Sequence, residues 1–186
     1  MRSRPFDPLH LDVEVFAKEA AELQGDWPVS TLTRLIDTTH PEARPAAEDA
    51  VRWRARGEAR AKRGAAAEVW LHLNAETRLS LVCQRCLGPL ATELEVEREF
   101  LFAPDEAVAA ELDAESDVDV LAMTRSLDLR ALVEDELLLA LPLVPRHEAC
   151  PDPLPLAEDE GEDETEAERP NPFAALAALK RSGPAN

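Results

Sequence analysis

A chain of 186 residues with 45% hydrophobic content can bury one ordinary core and still carry tails, but it has no apolar run near the roughly 18 residues of a membrane helix. An odd number of cysteines, three, and an N-terminus (Met1-Arg2-Ser3-Arg4-Pro5-Phe6) without an apolar export segment lead us to expect a reducing cytoplasm. The net charge of −18 is uneven: residues 1–90 hold 13 Lys/Arg and 13 Asp/Glu, residues 91–186 hold 7 and 25, so the N-terminal half can face nucleic acid while general binding by the whole chain finds no support.

Leu11 to Leu23 reads as a short helix, with Asp12 as N-cap, Gly25 as stop, and Val13, Phe16, Ala17, Ala20 and Leu23 as its apolar stripe. Leu32, Leu35 and Ile36 suggest a second helical turn after Ser30. The period then changes to two. Val51, Trp53 and Ala55 alternate with Arg52, Arg54 and Arg56, which predicts a strand with one apolar and one arginine face. Gly57 and Gly64 bracket a basic stretch with Arg60, Lys62 and Arg63. Val69, Leu71 and Leu73 form the next strand. After Asn74-Ala75-Glu76, the residues Leu79, Leu81 and Cys83 keep the same parity, which predicts a hairpin whose outgoing strand delivers Cys83.

From Thr92 to Phe102 the residues Glu93, Glu95, Glu97 and Glu99 take one face and Leu94, Val96, Phe100 and Phe102 the other. Regularly spaced glutamates read as a solvated face; pairing with the arginine face of 52–56 is the alternative. Residues 104–124 read as acidic and irregular, with a short edge strand at Asp117 to Val120. Asp128 reads as the N-cap of a Leu-rich helix that Pro142 stops, with Leu132, Val133, Leu137, Ala140 and Leu141 covering the sheet. Its Glu134, Asp135 and Glu136 read as favourable to the helix dipole.

Cys83-Gln84-Arg85-Cys86 and His147-Glu148-Ala149-Cys150 are two soft-ligand pairs that use every cysteine in the chain. Thiolates and imidazole suit zinc, and Cys3His is a usual structural set, which would tie two distant stretches together. A redox Cys-x-x-Cys and plain buried thiols are the alternatives. The redox motif normally opens a helix after a parallel strand, whereas Leu87-Gly88-Pro89 reads as a turn.

Residues 151–170 read as an acidic disordered linker, since Glu158 to Glu164 lacks the apolar residues to order itself. Residues 171–181 follow as a helical motif, with Asn171 as N-cap and Pro172 at the first helical position. Phe173, Leu176 and Leu179 recur every three residues, as in a docking segment, in cis or to a partner. The expected fold is therefore α+β over residues 8–150. Its base is a twisted, antiparallel, partly barrel-like sheet with strands near 50–56, 66–73, 77–83 and 92–102, and helices near 12–23 and 128–141 pack on it. No nucleotide-binding or hydrolase motif occurs, and His10, His40, His72 and His147 have no local Ser/Asp partners, so no enzyme is expected.

Three segments, Leu81-Val82-Cys83-Gln84-Arg85-Cys86, Leu132-Val133-Glu134-Asp135-Glu136-Leu137-Leu138-Leu139-Ala140-Leu141-Pro142 and Asn171-Pro172-Phe173-Ala174-Ala175-Leu176, occur in this order. Together they resemble the bacterial YceD family, the large ribosomal RNA subunit accumulation proteins, from about residue 8 to residue 181. The resemblance implies a ribosome-biogenesis role in the synthesis, processing or stability of large-subunit (23S) ribosomal RNA, and no catalytic mechanism. Some relatives carry further cysteines where this chain has His147 and Cys150, so His147 would stand in for a thiolate at zinc. A precursor large subunit, its RNA or an assembly protein is the expected partner, with no membrane and no small-molecule substrate. Arg52, Arg54, Arg56, Arg60, Lys62, Arg63 and Arg85 are then the RNA-contact candidates. The alternative is an acidic adaptor for basic ribosomal or assembly proteins that never touches RNA.

Overall fold

The computed structural model describes residues 6–64 and 66–151. The elements are α1 Val13–Lys18, β1 Glu22–Pro28, a 3-10 turn at Val29–Thr31, α2 Thr33–Ile36, β2 Ala50–Arg60, β3 Glu68–Val82, β4 Pro89–Ala103, α3 Glu106–Asp113, β5 Asp119–Ala122 and α4 Leu129–Leu139. The strands form one sheet in chain order, antiparallel from β1 to β4, with β5 parallel to β4. The α+β class stands. The sheet is mixed because of β5, and it is open, with β1 and β5 as edges and, among the described residues, no pairing to close a barrel.

One face of the sheet carries the core. α1 packs on β2 and β3, and α4 on β3 and β4. Phe16, Leu71, Leu73, Phe100, Leu129 and Leu137 are fully buried there. Each such side chain contributes roughly 1.5–3 kcal/mol relative to exposure. Asp128 caps α4 by accepting from the Ala131 amide at 3.0 Å, and Asp12 caps α1 by accepting from Val15 at 3.1 Å.

Four expectations need correction. The first helix stops at Lys18, and Leu23 lies in β1, whose exposure alternates residue by residue. Ala20 takes a left-handed φ of 46° at the change of direction. Leu23, Gly25 and Trp27 carry a period of two, but Ala20 and Leu23 also fit a helical spacing, and the short edge strand loses that contest in sequence.

Second, β3 is one strand of 15 residues that runs straight through Asn74-Ala75-Glu76. That stretch has no Gly or Pro to turn the chain, and Ala75 and Thr77 stay on the buried parity. The reversal comes at Cys83 to Gly88, between β3 and β4. Third, the acidic stretch after 104 holds α3, capped by Asp105, which accepts from Val108 at 3.0 Å.

Fourth, Glu134 and Glu136 lie beyond the first turn of α4 and are buried. Glu134 accepts from the Arg34 and Leu35 amides at 2.7 and 3.1 Å, capping α2, whose own N-cap Leu32 offers no side-chain bond. Glu136 accepts from Arg98 Nε at 3.2 Å. The linker and the motif at Phe173, Leu176 and Leu179 lie outside the described residues.

Candidate metal centre and charged sheet face

The antiparallel joint of β3 and β4 projects the Cys83–Gly88 turn beyond the sheet. The turn closes on itself, with Cys83 N–H donating to Gly88 O at 3.0 Å and Leu87 N–H donating to Cys83 O at 2.9 Å. Leu87 takes a left-handed φ of 60° to do so. Gln84 N–H donates to Pro145 O at 2.8 Å, which docks the chain after α4 against the turn and brings His147 and Cys150 over it.

Cys83, Cys86, His147 and Cys150 each offer one ligand atom, and all four atoms lie within 4.8 Å of one another. The Sγ atoms of Cys83 and Cys150 are 3.9 Å apart, and Cys86 Sγ is 3.5 Å from His147 Nδ1. A tetrahedral ion with zinc-like bonds sets sulfur–sulfur edges near ~3.8 Å and sulfur–nitrogen edges near ~3.6 Å, so this donor set fits one. His147 Nε2 lies 3.1 Å from Pro89 O, an acceptor only. The ring proton therefore sits on Nε2, and the Nδ1 lone pair is turned toward the sulfurs. Cys150 Sγ accepts from Arg85 Nε at 3.1 Å, and the Arg85 guanidinium also donates to the His147 and Glu148 carbonyls. The Cys-x-x-Cys lies in a turn between antiparallel strands, unlike a redox motif at a helix start.

Burial works to raise the Cys83 thiol, but the backbone amides of Cys86, His147 and Arg85 outweigh it and hold the group down to about 5. At Cys86 the Gly88 amide favours the thiolate, yet burial together with Cys150 and Cys83 pushes the thiol up. One thiolate forms readily and its neighbour then resists a second negative charge. A divalent cation removes that resistance. Bonding to Cys150 raises the Arg85 guanidinium, which is engaged at this site.

The opposite sheet face is charged. Arg52, Arg54 and Arg56 point to solvent, as their alternation predicts. Each also meets a carboxylate: Arg52–Glu76 at 2.7 Å, Arg54–Glu22 at 3.2 Å and Arg56–Glu58 at 3.7 Å. Arg60 bonds Glu58 at 3.1 Å and stacks its guanidinium 4.0 Å above the Trp70 ring, and Lys62 bonds Glu68 at 2.8 Å. Arg63 is exposed between β2 and β3. Glu93, Glu95, Glu97 and Glu99 line β4 in solvent, and only Glu99 of these reaches the arginine row, at 3.8 Å from Arg60. An open trough of about 900 Å³ crosses this face, lined among others by Asp26, Arg52, Arg54, Glu76, Glu95 and Glu97.

Residue patterns brought out the four residues of a cluster that could hold a metal ion. They missed His40, which is buried and bonds the Leu87 carbonyl through Nε2 at 3.0 Å. No spacing rule links residues 47 apart, so no sequence signal marked it.

The family model described as "Large ribosomal RNA subunit accumulation protein YceD" matches residues 71–180, which take in the quartet. The Large ribosomal RNA subunit accumulation protein YceD of Haemophilus influenzae is 38% identical over 111 residues, covering 55% of this chain. The match spans 60% of that curated relative's length. No solved structure matches the chain.

Proposed function

The chain belongs to the YceD family, and from that premise we propose that it supports accumulation of large-subunit ribosomal RNA by binding rather than catalysis, its partner being a basic protein component of the precursor subunit. The observation that carries this reading is the charge pattern of the open sheet face. The arginines of β2 are each matched by a carboxylate. Among the described residues Glu93, Glu95 and Glu97 of β4 make no ion pair. A lysine- or arginine-rich surface gains contacts there, while a phosphate must first displace Glu76, Glu22 or Glu58. Zinc is the proposed resident ion. Four protein ligands leave no open position, so its part is structural: it ties the β3–β4 turn to the segment after α4. Phe173, Leu176 and Leu179 are proposed as a second, apolar contact on the strength of their spacing.

Direct RNA contact is the second reading, favoured by the 71%, 61% and 56% exposure of the Arg52, Arg54 and Arg56 side chains. Capture from cell extract at two salt concentrations separates the readings. Under the first, E93K/E95K/E97K abolishes recovery of basic ribosomal proteins and R52E/R54E/R56E, which frees Glu76, Glu22 and Glu58, does not weaken it. If R52E/R54E/R56E instead loses RNA and flattens the salt dependence, the contact is to phosphate.

A further inference from the structure

We infer that His40 is a positioning residue of the metal centre: it holds the Cys83–Gly88 turn in its ligating shape, so zinc affinity depends on a side chain that never touches the ion. The inference rests on the zinc reading above. His40 is 7% exposed. Both of its ring nitrogens are taken by backbone. Nε2 faces the Leu87 carbonyl at 3.0 Å, which can only accept, so Nε2 carries the proton. Nδ1 accepts from the Glu42 amide at 3.2 Å. The two partners specify one neutral tautomer and leave no lone pair for a metal, which separates His40 from the ligand His147.

The bond falls where the turn needs it. Leu87 follows ligand Cys86 directly and is held at a φ of 60°, a left-handed conformation that a branched side chain rarely adopts. Its carbonyl direction sets the course of the chain from Cys86 to Gly88. The stretch bearing His40 is itself fastened to β3, because His40 N–H donates to Ser80 O at 2.7 Å and Thr39 bridges Leu81. The imidazole is thus a rigid strut from the sheet to the residue beside a ligand. Without it, Leu87 is free to relax toward ordinary φ and carry Cys86 away from His147. Groups that orient metal ligands typically change metal affinity 10–100-fold when removed.

The test is zinc affinity of the full chain by competition with a chromophoric chelator, for the parent, His40→Leu and His40→Gln, with the cobalt(II) absorption spectrum and the metal-free melting temperature of each. Leu keeps most of the volume and loses the donor; Gln keeps an N–H donor. We expect His40→Leu to bind zinc roughly 10–100-fold more weakly. It should keep the thiolate–cobalt charge-transfer bands at saturation, and His40→Gln should restore most of the affinity. Unchanged affinity in His40→Leu, or equal losses in Leu and Gln, overturns the inference while the zinc site stands. If the parent binds no stoichiometric zinc, the metal reading falls and this inference with it. Should His40→Leu fail to fold, His40→Gln alone decides: a tenfold or greater loss overturns the inference, and near-parent affinity supports it.

Discussion

Glu58 and Glu134 are carboxylates with opposite surroundings. Glu58 stands at a surface crossing, where bonds from Arg60 and then His72 hold its carboxyl down to about 2, from an ordinary 4.5. A depressed folded value means that the group favours folding fully above pH 4.5, and that this contribution disappears as pH falls through about 2. The stability gap between the parent and Glu58→Gln, followed by urea titration, should therefore shrink steadily over that window; a gap constant with pH would refute the pairing. Glu134 is buried and satisfies two amides of α2 together with the Arg34 guanidinium. Charged hydrogen bonds of this kind are worth about 1.5–3 kcal/mol each, and orphaned donors cost more than exposed ones. Glu134→Ala should lose about 2–4 kcal/mol. Asp135→Ala, which cuts a half-exposed pair to the same arginine, should stay within about 1 kcal/mol. Equal effects of the two would deny Glu134 its capping part.

Gly57 decides how α1 meets the sheet. A Cβ there would lie 2.7 Å from Phe16 Cδ1 and 2.8 Å from both the N and Cα of Ala17. The helix backbone rests directly on β2, and the glycine is required by that approach rather than by its φ. Gly57→Ala must push α1 outward, costing about 1–3 kcal/mol by overpacking. Thermal melting should fall by about 2–4 °C for each kcal/mol, with the urea m-value unchanged. Gly64 is the converse case: no atom lies in the way of a Cβ, but its φ of 77° strains any side chain placed there. The same packing explains the short first helix. Ala21 O accepts from Gly57 N–H at 2.9 Å, so the chain leaving α1 is already pairing with β2.

Among the described residues the apolar core is one source of order, and the proposed metal link is a second. The core under the sheet buries Leu, Val and Phe side chains, whereas the Cys83, Cys86, His147 and Cys150 quartet lies past the end of β3, where an ion would link residues 83 and 150. With zinc held as proposed, a strong chelator, or Cys83→Ala, should lower the melting temperature by several degrees yet leave one cooperative transition, since the core does not need the ion. Elemental analysis of the purified chain should give one zinc per molecule, and Cys83→Ala none. Total unfolding on chelation would show that the quartet carries the fold itself.

The alternation of β2 and β4, the capped α4 and the two soft-ligand pairs were legible in the sequence, because side-chain period and ligand spacing are local and the chain states them directly. The resemblance to a family was legible for the same reason. Local pattern did not convey that β3 continues through Asn74, that β1 is a strand, or that β5 runs parallel to β4, since each of these is settled by which neighbour supplies backbone partners. Nor could it pair Arg34 with Glu134, or place His40 beside Leu87, across 100 and 47 residues. Burial and hydrogen bonding at such separations depend on how the sheet meanders and where α4 comes to rest. Tertiary structure alone therefore decided that the arginine face is already matched by carboxylates, and that the Cys-x-x-Cys is a turn clasped from both sides.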